Sequence, residues 1–230
     1  PALALFALIV VYPFLYALWL GFYDWPIFGE KTFVGLGNYA RMLSDPLFRK
    51  SLANTVYWTC CVVPAIVVIS LAVALLLEAK FLKGRTLFRT IYFIPVVTSM
   101  VGAAFAWKWL FEPTCGVINW LLGLVGIRGP GWLASTTWAL PAMMVVGVWK
   151  QVGFAMVIFL AALQTIPKEL KEAATVDGAG PSQQFFRVIL PLLNPTVVLV
   201  LVILVINAFR VFTIPYVMSA RGFTWATPGG

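Results

Sequence analysis

Lys168-Glu-Leu-Lys-Glu-Ala-Ala-Thr-Val-Asp-Gly-Ala-Gly-Pro-Ser-Gln-Gln-Phe-Phe-Arg187 concentrates charge between two long apolar stretches. The chemistry this pattern suits is mechanical: a compact polar hairpin built to be gripped from outside a bilayer. Pro167 opens it, strong helix formers follow, and Gly178, Gly180 and Pro181 break the helix before Ser182 caps a second short helix over 182–190. On the first helix Leu170, Ala173, Ala174 and Val176 offer small apolar contact, ringed by the charges of Glu169, Lys171, Glu172 and Asp177.

Bond-making chemistry finds little support. Lys83-Gly84-Arg85-Thr86 has the residue types of a phosphate-cradling loop but lacks the upstream Gly of Gly-x-x-x-x-Gly-Lys-Ser/Thr. ATP hydrolysis, if it drives this chain, therefore belongs on another one. There is no His, and Cys60, Cys61 and Cys115 have no metal-ligand spacing, so the adjacent pair reads as apolar filler. Asp24, Glu30, Asp45 and Glu112 are scattered and read as solvated loop carboxylates.

Composition sets the solvent. The chain of 230 residues is 62% hydrophobic and 10% charged, whereas soluble domains carry about a quarter charged residues. Charge-free runs, with about 20 apolar residues needed per helical crossing, place five spans near 2–23, 55–77, 91–111, 137–164 and 188–212. Continuous rather than alternating apolarity excludes a β-barrel. The fold class expected is an all-α polytopic helical bundle, with residues 1–230 as one transmembrane domain.

Orientation rests on density. Lys and Arg divide seven against six between the two sets of connections, but 78–89 packs Lys80, Lys83, Arg85 and Arg89 into a short loop, as a cytoplasmic connection does. Trp25, Trp58, Trp107, Trp109, Trp120, Trp132 and Trp138 lie in or beside the opposite set, forming an outer belt. Segments 78–89 and 165–187 are thus expected inside. The net charge of +8 reads as topology and contact with anionic membrane lipid, and its scatter argues against a nucleic-acid partner.

Within the spans, Lys150, Gln151, Asn194, Asn207 and Arg210 stand out, because polar groups in hydrocarbon are costly unless they face protein or water. Lys150 lies about 22 Å along the axis from the end of its span at 1.5 Å per residue, towards the outer face. Snorkelling and pathway lining both suit it. Asn207 and Arg210, one turn apart, read equally as interhelical glue or translocation lining. Pro141, Pro195 and Pro215 are candidate kinks, and Gly147 and Gly153 candidate close crossings.

Spacing in the hairpin carries a family signal. Glu172-Ala173-Ala174, three residues, Gly178, nine residues, then Val188-x-Leu190-Pro191 resembles the EAA motif of permease subunits of ATP-binding-cassette importers, with Val188 where Ile is usual. Leu163-Gln-Thr-Ile-Pro-Lys-Glu-Leu170 and Val176-Asp-Gly-Ala179 resemble the carbohydrate-type branch. Weaker likenesses are Phe33-Val-Gly-Leu-Gly-Asn-Tyr39, Asn54-Thr55, Gly84-Arg85-Thr86-Leu-Phe-Arg89 and Pro95, so the resemblance covers nearly the whole chain.

That resemblance implies a type I importer permease in the inner membrane of a bacterial or archaeal cell. It implies a sixth helix beyond Pro228-Gly-Gly230 and a lost N-terminal piece before Pro1. Glu169, Leu170, Glu172, Ala173, Ala174, Asp177, Gly178, Leu190 and Pro191 then belong to a coupling element seated in an ATPase subunit. Glu172 would make a polar contact there and Gly178 would set the bend. The implied partners are a second, homologous permease, two ATP-binding subunits and an extracytoplasmic solute-binding protein. No cofactor is expected on this chain; ATP and Mg belong to the ATPases. The implied solute is a sugar, oligosaccharide or glycerophosphate-like polyol, with Lys150, Gln151, Asn207 and Arg210 as pathway candidates. The rival is an ion-coupled secondary transporter, disfavoured because no Asp or Glu lies within an expected span.

Overall fold

The computed structural model describes residues 1–79 and 84–219; Lys80, Lys83 and Pro228–Gly230 lie outside these. The described residues are mostly helical, and the chain divides into two compact units, Pro1–Ala53 and Asn54 onward.

The first unit opens with α1, Ala2–Leu20, whose residues are all unburied. A two-stranded antiparallel hairpin follows, β1 Tyr23–Asp24 with β2 Thr32–Phe33, then α2 Gly37–Ser44. Asn38 Nδ2 donates to the Gly21 and Tyr23 carbonyls at 3.0 and 2.9 Å, tying α2 to the end of α1. The Lys31 ammonium sits over the Trp19 and Tyr23 rings, 3.6 and 4.1 Å from their centroids.

The next helix, α3 Pro46–Glu78, runs 33 residues. From Asn54 on, it belongs to the second unit with α4 Arg85–Val97, α5 Met100–Leu110, α6 Val117–Leu124, α7 Ala139–Thr165, α8 Lys168–Val176, α9 Pro181–Phe209 and α10 Thr213–Met218. α7 is the hub. It is apolar on every side, the pattern of a helix surrounded by others, and Val146, Ala155, Met156, Phe159 and Leu163 are fully buried on it. α4, α9 and α10 all pack on it. Gly147 and Gly153 permit two close approaches: a Cβ at Gly147 would fall 2.7 Å from the Trp58 ring, and one at Gly153 would fall 2.0 Å from the Tyr92 carbonyl oxygen. Cys60 and Cys61 face away from this packing and are exposed.

Two expectations change. The third span, read as one helix over 91–111, is two: α4 and α5 meet at a bend of 102°. Thr98 and Ser99 are extended, at ψ 151 and 133. Pro95 lacks the N–H of a regular turn, and the Ser99 hydroxyl accepts from the Gly102 N–H at 3.5 Å to start α5 afresh. Nor is the second helix of the polar hairpin separate. α9 begins at Pro181 with Gly180, not Ser182, as its N-cap, and runs on as the fifth span. The Gly180 N–H is taken by Gln183 Oε1 at 3.2 Å.

Two prolines inside spans are accommodated in the same way. Pro13 and Pro191 each follow a single widened π-turn, Ala7–Val11 and Phe185–Ile189, by two residues. A helical proline clashes with the carbonyl four residues earlier. Those residues, Ile9 and Arg187, are the middle of each widened turn, where the extra residue moves the carbonyl aside.

Candidate functional site

The hairpin is built from its bend outward. Gly178 has φ +77, a left-handed conformation that glycine adopts without Cβ strain. The Ala179 N–H donates to the Ala174 carbonyl at 2.9 Å and the Gly178 N–H to Thr175 at 3.0 Å, the paired bonds of a Schellman cap. The end of α8 is therefore fixed by its own backbone. Gln184 adds a staple from α9, its Nε2 donating to Thr175 Oγ1 and the Ala179 carbonyl, both at 3.0 Å.

Rotation of α8 decides what it presents. Ala174 is buried and Lys171 is turned inward, its Nζ 2.6 Å from Glu78 Oε1 at the end of α3. Ala174 is thus not part of the apolar contact face the sequence suggested; at helical spacing it lies on the same side as Lys171. The outward side carries Glu169, Glu172, Ala173 and Val176, with Leu170 on its flank; Val176 is 88% exposed. Asp177 is the C-cap and is exposed. Leu190 and Pro191 do not reach this face, since they continue α9 above the widened turn, on which α8 packs. The outcome is a small, rigid, acidic-and-apolar knob held from behind by an ion pair and a staple.

A second feature gathers the four pathway candidates among the five intramembrane polar residues. A cavity of about 390 Å³ is lined by Lys150, Gln151, Asn207 and Arg210. Asn207 Nδ2 donates to Gln151 Oε1 at 3.4 Å, bridging α9 and α7. Trp58, Phe154 and Phe212 give aromatic walls, and Val96, Met100, Val211, Thr213 and Ile214 complete them. No lining side chain among the described residues is acidic. Asn194 does not line the cavity. Sequence reasoning missed the aromatic walls: Trp58, assigned there to the outer belt, is buried against Gly147, and Phe154 and Phe212 look like ordinary span filler until α3, α7 and the turn after α9 converge.

Lys150 does not snorkel. It is only 8% exposed, and its ammonium donates to the Pro95 and Thr98 carbonyls, with longer contacts to the Val96 carbonyl at 3.4 Å and Thr98 Oγ1 at 3.3 Å. These carbonyls lie at the C-terminus of α4, where the helix dipole favours a cation; the Pro95 carbonyl also accepts from the Thr98 hydroxyl at 2.7 Å. The guanidinium of Arg210, the C-cap residue of α9, has no hydrogen-bond or ion-pair partner among the described residues, while the backbone N–H donates to the Asn207 carbonyl at 3.2 Å. Among those residues no group of three or more His, Cys, Asp and Glu side chains comes together to hold a metal.

Residues 33–227 match the family described as binding-protein-dependent transport system inner membrane component. The chain is 36% identical over 224 residues to the sulfoquinovosyl glycerol transport system permease protein of Agrobacterium fabrum, covering 96% of this chain and 72% of that protein. It is 35% identical over 231 residues to the trehalose/maltose transport system permease protein of Thermococcus litoralis, covering 100% and 76%. Among solved structures it is similar to a chain of a bacterial ABC transporter involved in the import of the acidic polysaccharide alginate, with TM-score 0.80 and 25% identity over 96% of this chain and 75% of that one.

Proposed function

The chain belongs to the family of binding-protein-dependent transport system inner membrane components and is a multi-pass permease subunit of an ATP-binding-cassette importer, and on that premise we propose how its two features divide the work. The α8 knob docks into a separate cytoplasmic ATP-binding subunit, which holds the ATP and Mg. The cavity forms one half of the path for a carbohydrate-like solute released by an extracytoplasmic binding protein, and a second permease supplies the other half. The membrane is the inner, or only, membrane of a bacterial or archaeal cell, with α8 inside.

One observation carries the coupling assignment: the back of α8 is fixed by Lys171, Ala174 and Gln184 while Glu169, Glu172, Ala173 and Val176 are left facing outward. A knob fixed on one side and free on the other transmits displacement, whereas a loose loop absorbs it. The outward carboxylates suit a basic rim and the small apolar residues a shallow groove. The cavity suits a hydroxyl-rich solute: aromatic faces stack on sugar rings, and Gln151, Asn207 and Thr213 offer both donors and acceptors. The three similar proteins named above act on sulfoquinovosyl glycerol, trehalose or maltose, and alginate, all carbohydrate.

The test is ATP hydrolysis by the full complex in lipid nanodiscs, with and without its binding protein and a panel of sugars and glycerophosphodiesters. A solute-loaded binding protein is expected to stimulate hydrolysis severalfold. Val176→Asp or Glu172→Arg is expected to abolish the stimulation without lowering permease stability. Unchanged stimulation in both variants refutes the docking role of α8.

A further inference from the structure

We propose that Lys150 is a positioning residue that pins the bend of the third span to α7, so that the wall of the cavity moves with the coupling hairpin; this rests on the importer reading above. A break of 102° inside a span leaves carbonyls without helical partners, and in hydrocarbon each must find a donor. Lys150 supplies donors to three residues around the break, Pro95, Val96 and Thr98, from a position 52 to 55 residues away in sequence. One turn further along α7, Gly153 lets the Tyr92 carbonyl come close, so α4 is gripped at two successive turns.

What the pin joins is the point. From Lys150, α7 runs without interruption to Thr165, and only Ile166 and Pro167 separate it from α8. On the other side of the bend, α5 packs on α10. Val96, Met100 and Ile214, from the two halves of the bend and from α10, all line the cavity. A displacement arriving at α8 thus reaches Lys150 along one helix and passes through its ammonium to the bend and the cavity wall. With Lys150 engaged by carbonyls, its charge is not the feature that holds a solute. Without the ammonium, Pro95 keeps the Thr98 hydroxyl as donor, and the carbonyls of Val96 and Thr98 are satisfied by water entering from the cavity or by straightening of the span. Either event loosens the hold of α7 on the bend between α4 and α5.

The experiment uses the complete complex in nanodiscs, with Cys60, Cys61 and Cys115 replaced by Ser and spin labels at Leu87 on α4 and Trp109 on α5, both well exposed. Lys150→Met is expected to keep assembly and to broaden the label-to-label distance distribution. Solute-stimulated turnover is expected to fall at least tenfold, with half-saturation by the loaded binding protein within twofold of the parent. Lys150→Arg, which keeps the cation, is expected to keep the narrow distribution and most of the turnover. If Lys150→Met does not assemble, Lys150→Gln is measured by the same criteria. A distribution as narrow as the parent's in the neutral variant, or one as broad in Lys150→Arg, overturns the proposal. So does a shift in solute preference at unchanged turnover, which would make Lys150 a solute ligand. A parent complex that shows no stimulation overturns the importer reading instead, so the two failures are distinguishable.

Discussion

Replacing Gly153 by alanine tests the packing on which the bend depends. A Cβ at this position would lie 2.0 Å from the Tyr92 carbonyl oxygen, 2.9 Å from its carbon and 3.1 Å from Val96 Cγ2, whereas ordinary contact begins at 3.4 Å. Two of these atoms are backbone, so no rotamer change relieves them, and α4 and α7 must part locally by more than 1 Å. Overpacking of this kind costs about 1–3 kcal/mol. Lys150 sits one turn away and its bonds to the Pro95 and Thr98 carbonyls stretch with the separation; hydrogen bonds to charged groups contribute about 1.5–3 kcal/mol each. A total loss of about 3 kcal/mol is expected. Gly147→Ala is the matched control on the same helix, since its added Cβ meets only the Trp58 ring edge at 2.7 Å. A side chain yields more readily than backbone, so about 1 kcal/mol is expected there. The assay is thermal unfolding of the assembled complex in nanodiscs, followed by Trp fluorescence and by retention of the ATP-binding subunits. Equal tolerance of the two substitutions would refute the argument that backbone approach at Gly153 sets the bend.

Gly178→Val is expected to strain a left-handed residue whose Cβ would otherwise meet nothing within 4 Å, costing about 1–2 kcal/mol of conformational energy; Gly178→Asn should be milder, and stimulated ATP hydrolysis should rank the two in that order. Lys171→Met and Glu78→Gln should each loosen α8 and should not add in a double-mutant cycle, with a coupling of about 1 kcal/mol because both side chains are roughly a quarter exposed; additivity in hydrogen-exchange protection of α8 would show that the pair holds nothing.

Much of this architecture was visible in the chain because lipid imposes a simple rule: an uncharged run of sufficient length crosses, and a charged one does not. The hairpin was equally visible, since Gly178 and Gly180 with Pro181 interrupt good helix formers at close range. What failed were features that depend on rotation about a helix axis or on distant partners. α8 is one short helix, and whether Ala173 or Ala174 faces out depends on where Lys171 finds Glu78, 93 residues earlier. Pro95, Thr98 and Ser99 are each common in spans, and a proline alone predicts a kink rather than a full break. α7 is apolar all round, so its pattern could not say which neighbour receives Lys150. Ser182 had the chemistry of a cap, but Pro181 starts the helix one residue earlier and leaves the cap position to Gly180.

Lys150 and Arg210 show how little residue type says about charge inside a membrane protein. In the sequence they are equivalent: two lone cations in apolar helices, each fit to greet a phosphate or carboxylate. The fold separates them by what surrounds each charge. Lys150 meets the negative end of a helix, where it bonds the Thr98 carbonyl and shares the Pro95 carbonyl with the Thr98 hydroxyl, so its charge is neutralised by dipoles and its presence in the cavity wall is structural. Arg210 ends a helix too, but its guanidinium lines the same cavity without a protein partner among the described residues. Counting cations along a path therefore overstates its field, and what a solute feels is the charge left over after the backbone has been satisfied. In a span that breaks by 102°, the backbone has first claim.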